Sequence, residues 1–361
     1  TIWNILAITI ILFILVNALL WIVITARNSP DKSDVELVAT SYSLDGKNDN
    51  KINLLLRESW EEQFTYEPFT QFKEASLNNI YDDISANGYR SIKDQGDWPI
   101  NPENINIFVF GGSTTFGYGA TGYQSIPSYL QEHLKNKNNN VSVYNFGRAY
   151  YYSTQERILF ESLLNNGHIP DIVIFIDGLN DFFNSENIPA FTKTLNNYNN
   201  SLNQVIENQI GRLPIMKLIE FTSHKFEILT NASLEEETDE NTVVTKVLNN
   251  YLTNKRIIRA VSEEFNIQPY FIWQPIPFYN SFRESDSIGG WLYNVRDGYK
   301  LMNNERLNNK LDEDFIWLYT IESNEEDYID LVHYSPNFAN RLADSISNYI
   351  SPHINNILRK K

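Results

Sequence analysis

The stretch Ile105 to Gly119, Ile-Asn-Ile-Phe-Val-Phe-Gly-Gly-Ser-Thr-Thr-Phe-Gly-Tyr-Gly, constrains the fold more than any other part of this 361-residue chain. A short apolar run ended by two glycines reads as a buried strand. It ends in Gly111-Gly112-Ser113, and a sharp strand-to-helix turn needs residues without a Cβ, which tolerate unusual dihedrals and close backbone approach. Ser113 then stands just past the carboxyl end of a strand, where open parallel α/β sheets collect their ligands. A hydroxyl held beside helix-start N–H groups is placed for nucleophilic catalysis. A phosphate-binding loop is excluded, because no lysine lies between Asn106 and Lys135. The G-x-G-x-x-G dinucleotide spacing is not supplied by Gly111, Gly112, Gly117 and Gly119.

Two further segments follow in the order that a serine hydrolase needs. Ile169 to Asp181 is a second buried-strand pattern closing on Gly178-Leu-Asn-Asp181, where the Asn180 side chain can donate an N–H to a developing oxyanion. Near the C-terminus, Asp330-Leu-Val-His333 precedes a helix expected to carry Pro336 in its first turn. An imidazole with a carboxylate three residues earlier can act as an oriented general base.

These blocks resemble the SGNH (GDSL-like) hydrolase superfamily, of membrane-anchored bacterial type. Gly111-Gly-Ser-Thr-Thr-Phe-Gly117 is similar to its first block, Gly178-Leu-Asn-Asp181 to its third and Asp330-x-x-His333 to its fifth. The second block, Val143 to Ser153, is altered. Tyr150 stands where the block's glycine aligns, and Gly147, three residues earlier, is a shifted equivalent. Gly112 replaces the name-giving aspartate.

The resemblance implies a three-layer α/β/α, flavodoxin-like parallel sheet, with Ser113 as nucleophile, His333 as general base and Asp330 orienting it. It implies an oxyanion hole from the Ser113 N–H, a backbone N–H of the Gly147–Tyr150 loop and the Asn180 side chain. Tyr150 still supplies an N–H, which serves the oxyanion hole if its φ is negative, while its ring narrows the acyl pocket and favours short acyl groups. Asp181 is assigned to structure rather than chemistry. His133, His168, His224 and His353 lack a comparable carboxylate motif and are placed at the surface. No cofactor and no metal are implied.

The formal charge of −16 opposes nucleic-acid binding, which needs a basic surface, and docking on anionic lipid. Absence of cysteine excludes disulfides and thiolate chemistry. Ile5 to Thr25 is almost wholly apolar, and 21 helical residues at ~1.5 Å each span a bilayer core. Residues 1–26 are therefore read as a single transmembrane anchor, with residues 2–26 in the membrane. Arg27 and Lys32 follow it and on the positive-inside rule would hold the remainder in the cytoplasm. The resemblance instead implies an extracytoplasmic, periplasmic domain.

Residues 27–84 are read as linker and N-terminal extension, and 85–352 as the hydrolase-like domain with an insert at 184–251. Strands are expected near 105–111, 141–145, 171–177, 268–274 and 314–319, with a helix at 153–166. Helical flanks at 215–229 and 243–260 offer either a cap over the site or a passive surface excursion. The function expected is a membrane-anchored esterase or O-deacylase acting on an acylated glycan or lipid. The alternatives are a non-catalytic, glycan-binding or scaffold subunit with membrane-complex partners, and an O-acyltransferase.

Overall fold

The apolar runs alternate in kind as well as burial, and that alternation sets the layers. In β5 (Ile105–Gly111) and β7 (Ile172–Asp177) every residue is buried, as befits parallel strands covered on both faces. Side chains of a strand point alternately to the two sides. Ile105, Ile107, Val109, Ile172, Ile174 and Ile176 thus enter one aliphatic core. Phe108, Phe110 and Phe175 face the other way, where Phe110 stacks on Phe175 at 4.9 Å between ring centroids and on Phe146 at 5.6 Å.

A computed structural model describes residues 2–27, 54–55, 58, 64–81, 83–137, 140–183, 188–192, 240–277, 291–308 and 312–358. Five strands form the central sheet: β5, β6 (Val141–Asn145), β7, β8 (Gln268–Trp273) and β9 (Phe315–Trp317), in the order β6-β5-β7-β8-β9. All four pairings are parallel. All five lie where the sequence places strands. The aliphatic face is covered by α3 (Ile126–Lys137) and the C-terminal α8 (Pro336–Leu358) through Leu130, Leu134, Phe338 and Leu342. Pro336 opens α8, where a missing N–H costs nothing. The opposite face carries α4 (Ser153–Asn165), α6 (Glu240–Glu264) and α7 (Trp291–Leu307). The architecture is the expected three-layer α/β/α fold.

Two boundaries differ from expectation. Residues 243–251 belong to α6, and Val244, Val247, Leu248 and Tyr251 pack on Trp273 in the core. This flank of the expected insert is the crossover helix into β8, neither a cap nor an excursion. The other flank, 215–229, lies outside the described residues. The N-terminal extension is also more than a linker, because it builds a hairpin from β1 (Phe64–Glu67) and β2 (Gln71–Glu74). A smaller antiparallel pair follows, β3 (Leu77–Asn78) with β4 (Asp83–Ile84).

The chain divides into two compact units, residues 32–190 with 240–361, and residues 1–31 with 191–239. The second unit holds α1 (Ile2–Arg27), whose segment Trp3–Ile22 is long and apolar enough to cross a membrane and none of which is buried.

Beneath the sheet's carboxyl end, α6 sends Lys255 to a buried ion pair with Asp177. Glu156 of α4 and Asp181 complete a cluster of three carboxylates around one ammonium. Burial, then the charge of Asp177, pushes Asp181 up to about 7, against the Ser153 hydroxyl that donates to it at 2.5 Å and the Lys255 charge. An unfolded aspartate ionises near 4, so between about 4 and 7 the folded chain binds the extra proton and stability falls as pH rises. Asp181→Asn keeps an acceptor for Ser153 and cannot ionise. It is expected to flatten the decline of Tm between pH 5 and 8, and a variant as pH-sensitive as the parent would contradict this assignment.

Candidate active site

The nucleophile turn is built from close backbone approaches. A Cβ on Gly111 would stand 2.1 Å from Thr115 Oγ1 and 2.8 Å from the Ile176 carbonyl, so only glycine lets β5 turn directly into α2 (Ser113–Phe116). The Ser113 carbonyl accepts the Gly117 and Tyr118 N–H groups at 2.9 and 3.0 Å, and the later carbonyls of so short a helix need partners from elsewhere. The buried Arg90 guanidinium donates to the carbonyls of Phe116, Gly117 and Ala120 at 2.7, 2.8 and 2.7 Å. Asn145 Nδ2 donates to those of Thr115 and Phe116 at 3.3 and 3.1 Å. Neither residue is among those that the sequence marks as site candidates.

Ser113 Oγ lies 2.9 Å from His333 Nε2, across 220 positions of sequence. His333 Nδ1 lies 2.6 Å from Asp330 Oδ2. Asp330 Oδ1 accepts the backbone N–H groups of Val332 and His333, each at 2.8 Å, which locks the carboxylate and the ring on one tight turn. Burial alone would raise the Asp330 carboxyl. The His333 charge and the three hydrogen bonds outweigh it and hold the group at about 2. Asp330 is therefore ionised throughout the neutral range and adds stability above about pH 4 that is lost as pH falls toward 2. The Tyr118 ring lies 5.4 Å from that of His333, centroid to centroid.

Asn180 sits in α5 (Leu179–Phe183), the first turn after β7. Its Nδ2 donates to the Tyr151 carbonyl at 2.7 Å. A Cβ on Gly112 would come within 2.3 Å of that nitrogen, so glycine in place of the name-giving aspartate makes room for the Asn180 amide beside Ser113.

Gly147 and Tyr150, the two candidates in the second block, have different places. The Gly147 N–H donates to Asn145 Oδ1 at 3.0 Å, which removes it from the expected oxyanion hole. A Cβ there would lie 2.4 Å from the Phe116 nitrogen, so Gly147 is needed for packing the loop under α2. Tyr150 carries φ of +60°, not the negative value that an oxyanion role for its N–H requires. The reason is the turn Arg148–Tyr151, closed by a Tyr151 N–H bond to the Arg148 carbonyl at 3.4 Å. Tyr150 occupies its third position, where a type II turn demands positive φ and glycine is usual. The tyrosine thus holds a backbone conformation in which glycine is usual. The residue is 44% exposed.

Ser113, Asn180 and His333 open into a cavity of about 130 Å³, otherwise lined by Tyr118, Ala149, Tyr150, Leu179, Phe183 and Val332. Asp181 points away, buried against Ser153. His133, His168 and His353 are half-buried at the surface, and His168 packs on Trp98 at 4.2 Å. His224 lies outside the described residues.

Similar solved structures include the lipase Lip_vut3 from a goat rumen metagenome, 13% identical, covering 69% of this chain and 97% of that one, with a TM-score of 0.42. The acetyl xylan esterase AlAXEase is 13% identical, with 68% and 100% covered and a TM-score of 0.39. The psychrotrophic esterase EstA from Pseudoalteromonas sp. is 11% identical, with 70% and 100% covered and a TM-score of 0.37. Among curated proteins there is no match. The sequence pattern described as GDSL-like Lipase/Acylhydrolase matches residues 107–346, the span from β5 into α8. The chain belongs to this GDSL-like family of carboxylic ester hydrolases.

Proposed function

We propose that the chain is a membrane-anchored serine esterase that removes a short acyl group from an acylated glycan or lipid. The observation that carries this reading is the continuous hydrogen-bonded line Ser113 Oγ, His333 Nε2, His333 Nδ1, Asp330 Oδ2, at 2.9 and 2.6 Å. Ser113 Oγ attacks the ester carbonyl while His333 Nε2 takes its proton. Asp330, held ionised, stabilises the imidazolium that forms. The oxyanion is met by the Ser113 N–H, first of its helical turn, and by the Asn180 amide. Collapse expels the alcohol, which takes the proton from His333. Water then attacks the acyl-Ser113 carbonyl by the same route, giving the free acid and restoring the hydroxyl.

The pocket supports the choice of acyl group. A cavity of about 130 Å³ is slightly smaller than the engineered apolar cavity of ~150 Å³ that admits benzene. Apart from Ser113, Asn180, His333 and the tyrosine hydroxyls its walls are apolar. They suit a chain of roughly two to four carbons better than a fatty acyl chain, and each misfitted methylene costs on the order of 1–3 kcal/mol of selectivity. The α1 segment supplies the anchor, and the ester-bearing polymer or lipid lies on the extracytoplasmic side of that membrane.

Chain-length profiling of p-nitrophenyl esters tests the reading. Acetate and butyrate are expected to give the highest kcat/KM, with decanoate lower by roughly 10–200-fold for the misfit. Tyr150→Gly suits the positive φ without strain and is expected to move the optimum to longer chains. A native preference for decanoate would overturn the short-acyl assignment.

A further inference from the structure

The β1–β2 hairpin is outside the central sheet, yet its buried polar contacts run to the turn Arg148–Tyr151 beside the active site and to the first turn of α4. Glu74, 1% exposed, accepts the Ala149 N–H at 2.6 Å through Oε1 and an Arg148 guanidinium N–H at 3.1 Å through Oε2. Arg148, 3% exposed, also donates to the Gly88 carbonyl at 2.6 Å. The Tyr151 hydroxyl donates to the Phe72 carbonyl at 2.5 Å, and Gln155 Nε2 to that of Thr70 at 2.8 Å. Phe72 meets the Tyr151 ring edge-on at 5.4 Å, and Phe64 tilts against the Tyr150 ring at 6.2 Å.

Arg148–Tyr151 is the turn that carries both the aromatic wall of the pocket and the carbonyl that binds Asn180. Tyr150 holds a sparsely populated left-handed conformation, which persists only where the surroundings over-determine it. Here Glu74 grips the residue on each side of the Arg148–Ala149 peptide, and Phe72 grips Tyr151. A buried ion pair adds little net stability over an apolar pair of equal volume. Its placement on this turn is better accounted for by the geometry it specifies.

We infer that the Phe64–Glu74 hairpin is a working part of the active site: Glu74 is a positioning residue for the Arg148–Tyr151 turn, and through it for Asn180, while Phe64 sets where the Tyr150 ring bounds the acyl pocket. The inference rests on the Ser113 esterase reading, and deepens it by assigning acyl-length selection to a segment that precedes every motif block of the chain. In physical terms the chain Glu74, Ala149, Tyr150, Tyr151, Asn180 is a line of hydrogen bonds and one covalent turn that ends on the oxyanion amide. A displacement of about 1 Å at such a group can cost on the order of 10²-fold in rate.

The test uses the detergent-solubilised full chain and two variants. The double variant Glu74→Gln with Arg148→Met removes both buried charges and leaves an amide oxygen for the Ala149 N–H. It is expected to retain the fold by circular dichroism and to lose roughly 10–10²-fold in kcat on p-nitrophenyl acetate with KM within about twofold, since the lost alignment acts in the transition state. Phe64→Ala is expected to raise the hexanoate-to-acetate ratio of kcat/KM at least about fivefold, a shift within what one misfitted methylene is worth. That ratio decides the matter if the double variant fails to fold. Parental kcat and parental chain-length ratio in the folded variants would reduce the hairpin to a structural appendage and overturn the inference. Fluorophosphonate labelling of the parent separates the two levels: an unlabelled parent removes the esterase reading and the inference with it, whereas a labelled parent with unchanged variants removes only the hairpin's role.

Discussion

Ser113→Ala is expected to lower ester turnover by about 10⁶-fold, the scale on which a nucleophile and its base act as one unit. His333→Ala is expected to cost about as much, and the double variant no more than either alone, because each removes the same proton-coupled attack. Asp330→Asn belongs on a lower rung. It keeps the tight turn and loses the charge that selects the imidazole tautomer, an effect of about 10⁴-fold. Kinetics on p-nitrophenyl acetate check this order. Ser113 and His333 effects that multiplied, or an Asp330 effect larger than that of His333, would show that the three do not form one relay.

The amide proposed for the oxyanion gives the second large effect. Asn180→Ala is expected to cost on the order of 10²–10³ in kcat with KM little changed, as for removal of one donor that acts only in the transition state. Gly112→Ala probes the same amide without replacing it. Its φ of −79° accommodates alanine, and the new Cβ would press on Asn180 Nδ2. Kinetic loss in the same direction is expected, and adding Gly112→Ala to Asn180→Ala is expected to cost no more, since the displaced group is already gone. A Gly112→Ala variant with parental kcat would show that the Asn180 amide has slack.

The parts of this molecule visible in sequence are those encoded over short spans. β5 and β7 announce themselves by unbroken buried runs ended by glycine, and the Asp330–His333 spacing places a carboxylate and an imidazole on one turn by local geometry alone. The same holds for Pro336 at the start of α8. What stays hidden depends on contacts between distant segments. That the Gly147 N–H is bound by Asn145, and that this glycine exists for packing under α2, cannot be read from a loop's composition. The sign of φ at Tyr150 follows from the third position of a turn whose closing bond is invisible until the loop is folded. Glu74 and Arg148 are separated by 74 residues, and nothing in the local sequence of either marks a buried pair. The carboxyl end of the expected insert is obscured for a related reason. Polar residues around 240–251 hide the apolar face formed by Val244, Val247, Leu248 and Tyr251, which is recognisable once Trp273 lies beneath it.

Everything proposed for this protein depends on Ser113 being an activated nucleophile in line with His333 and Asp330. Mass-spectrometric mapping of the full chain after treatment with a fluorophosphonate tests this without any assumption about the natural ester. A single covalent adduct is expected on Ser113, formed in the parent and lost in Ser113→Ala and His333→Ala. A parent protein that stays unmodified while folded, or an adduct on a residue other than Ser113, would contradict it.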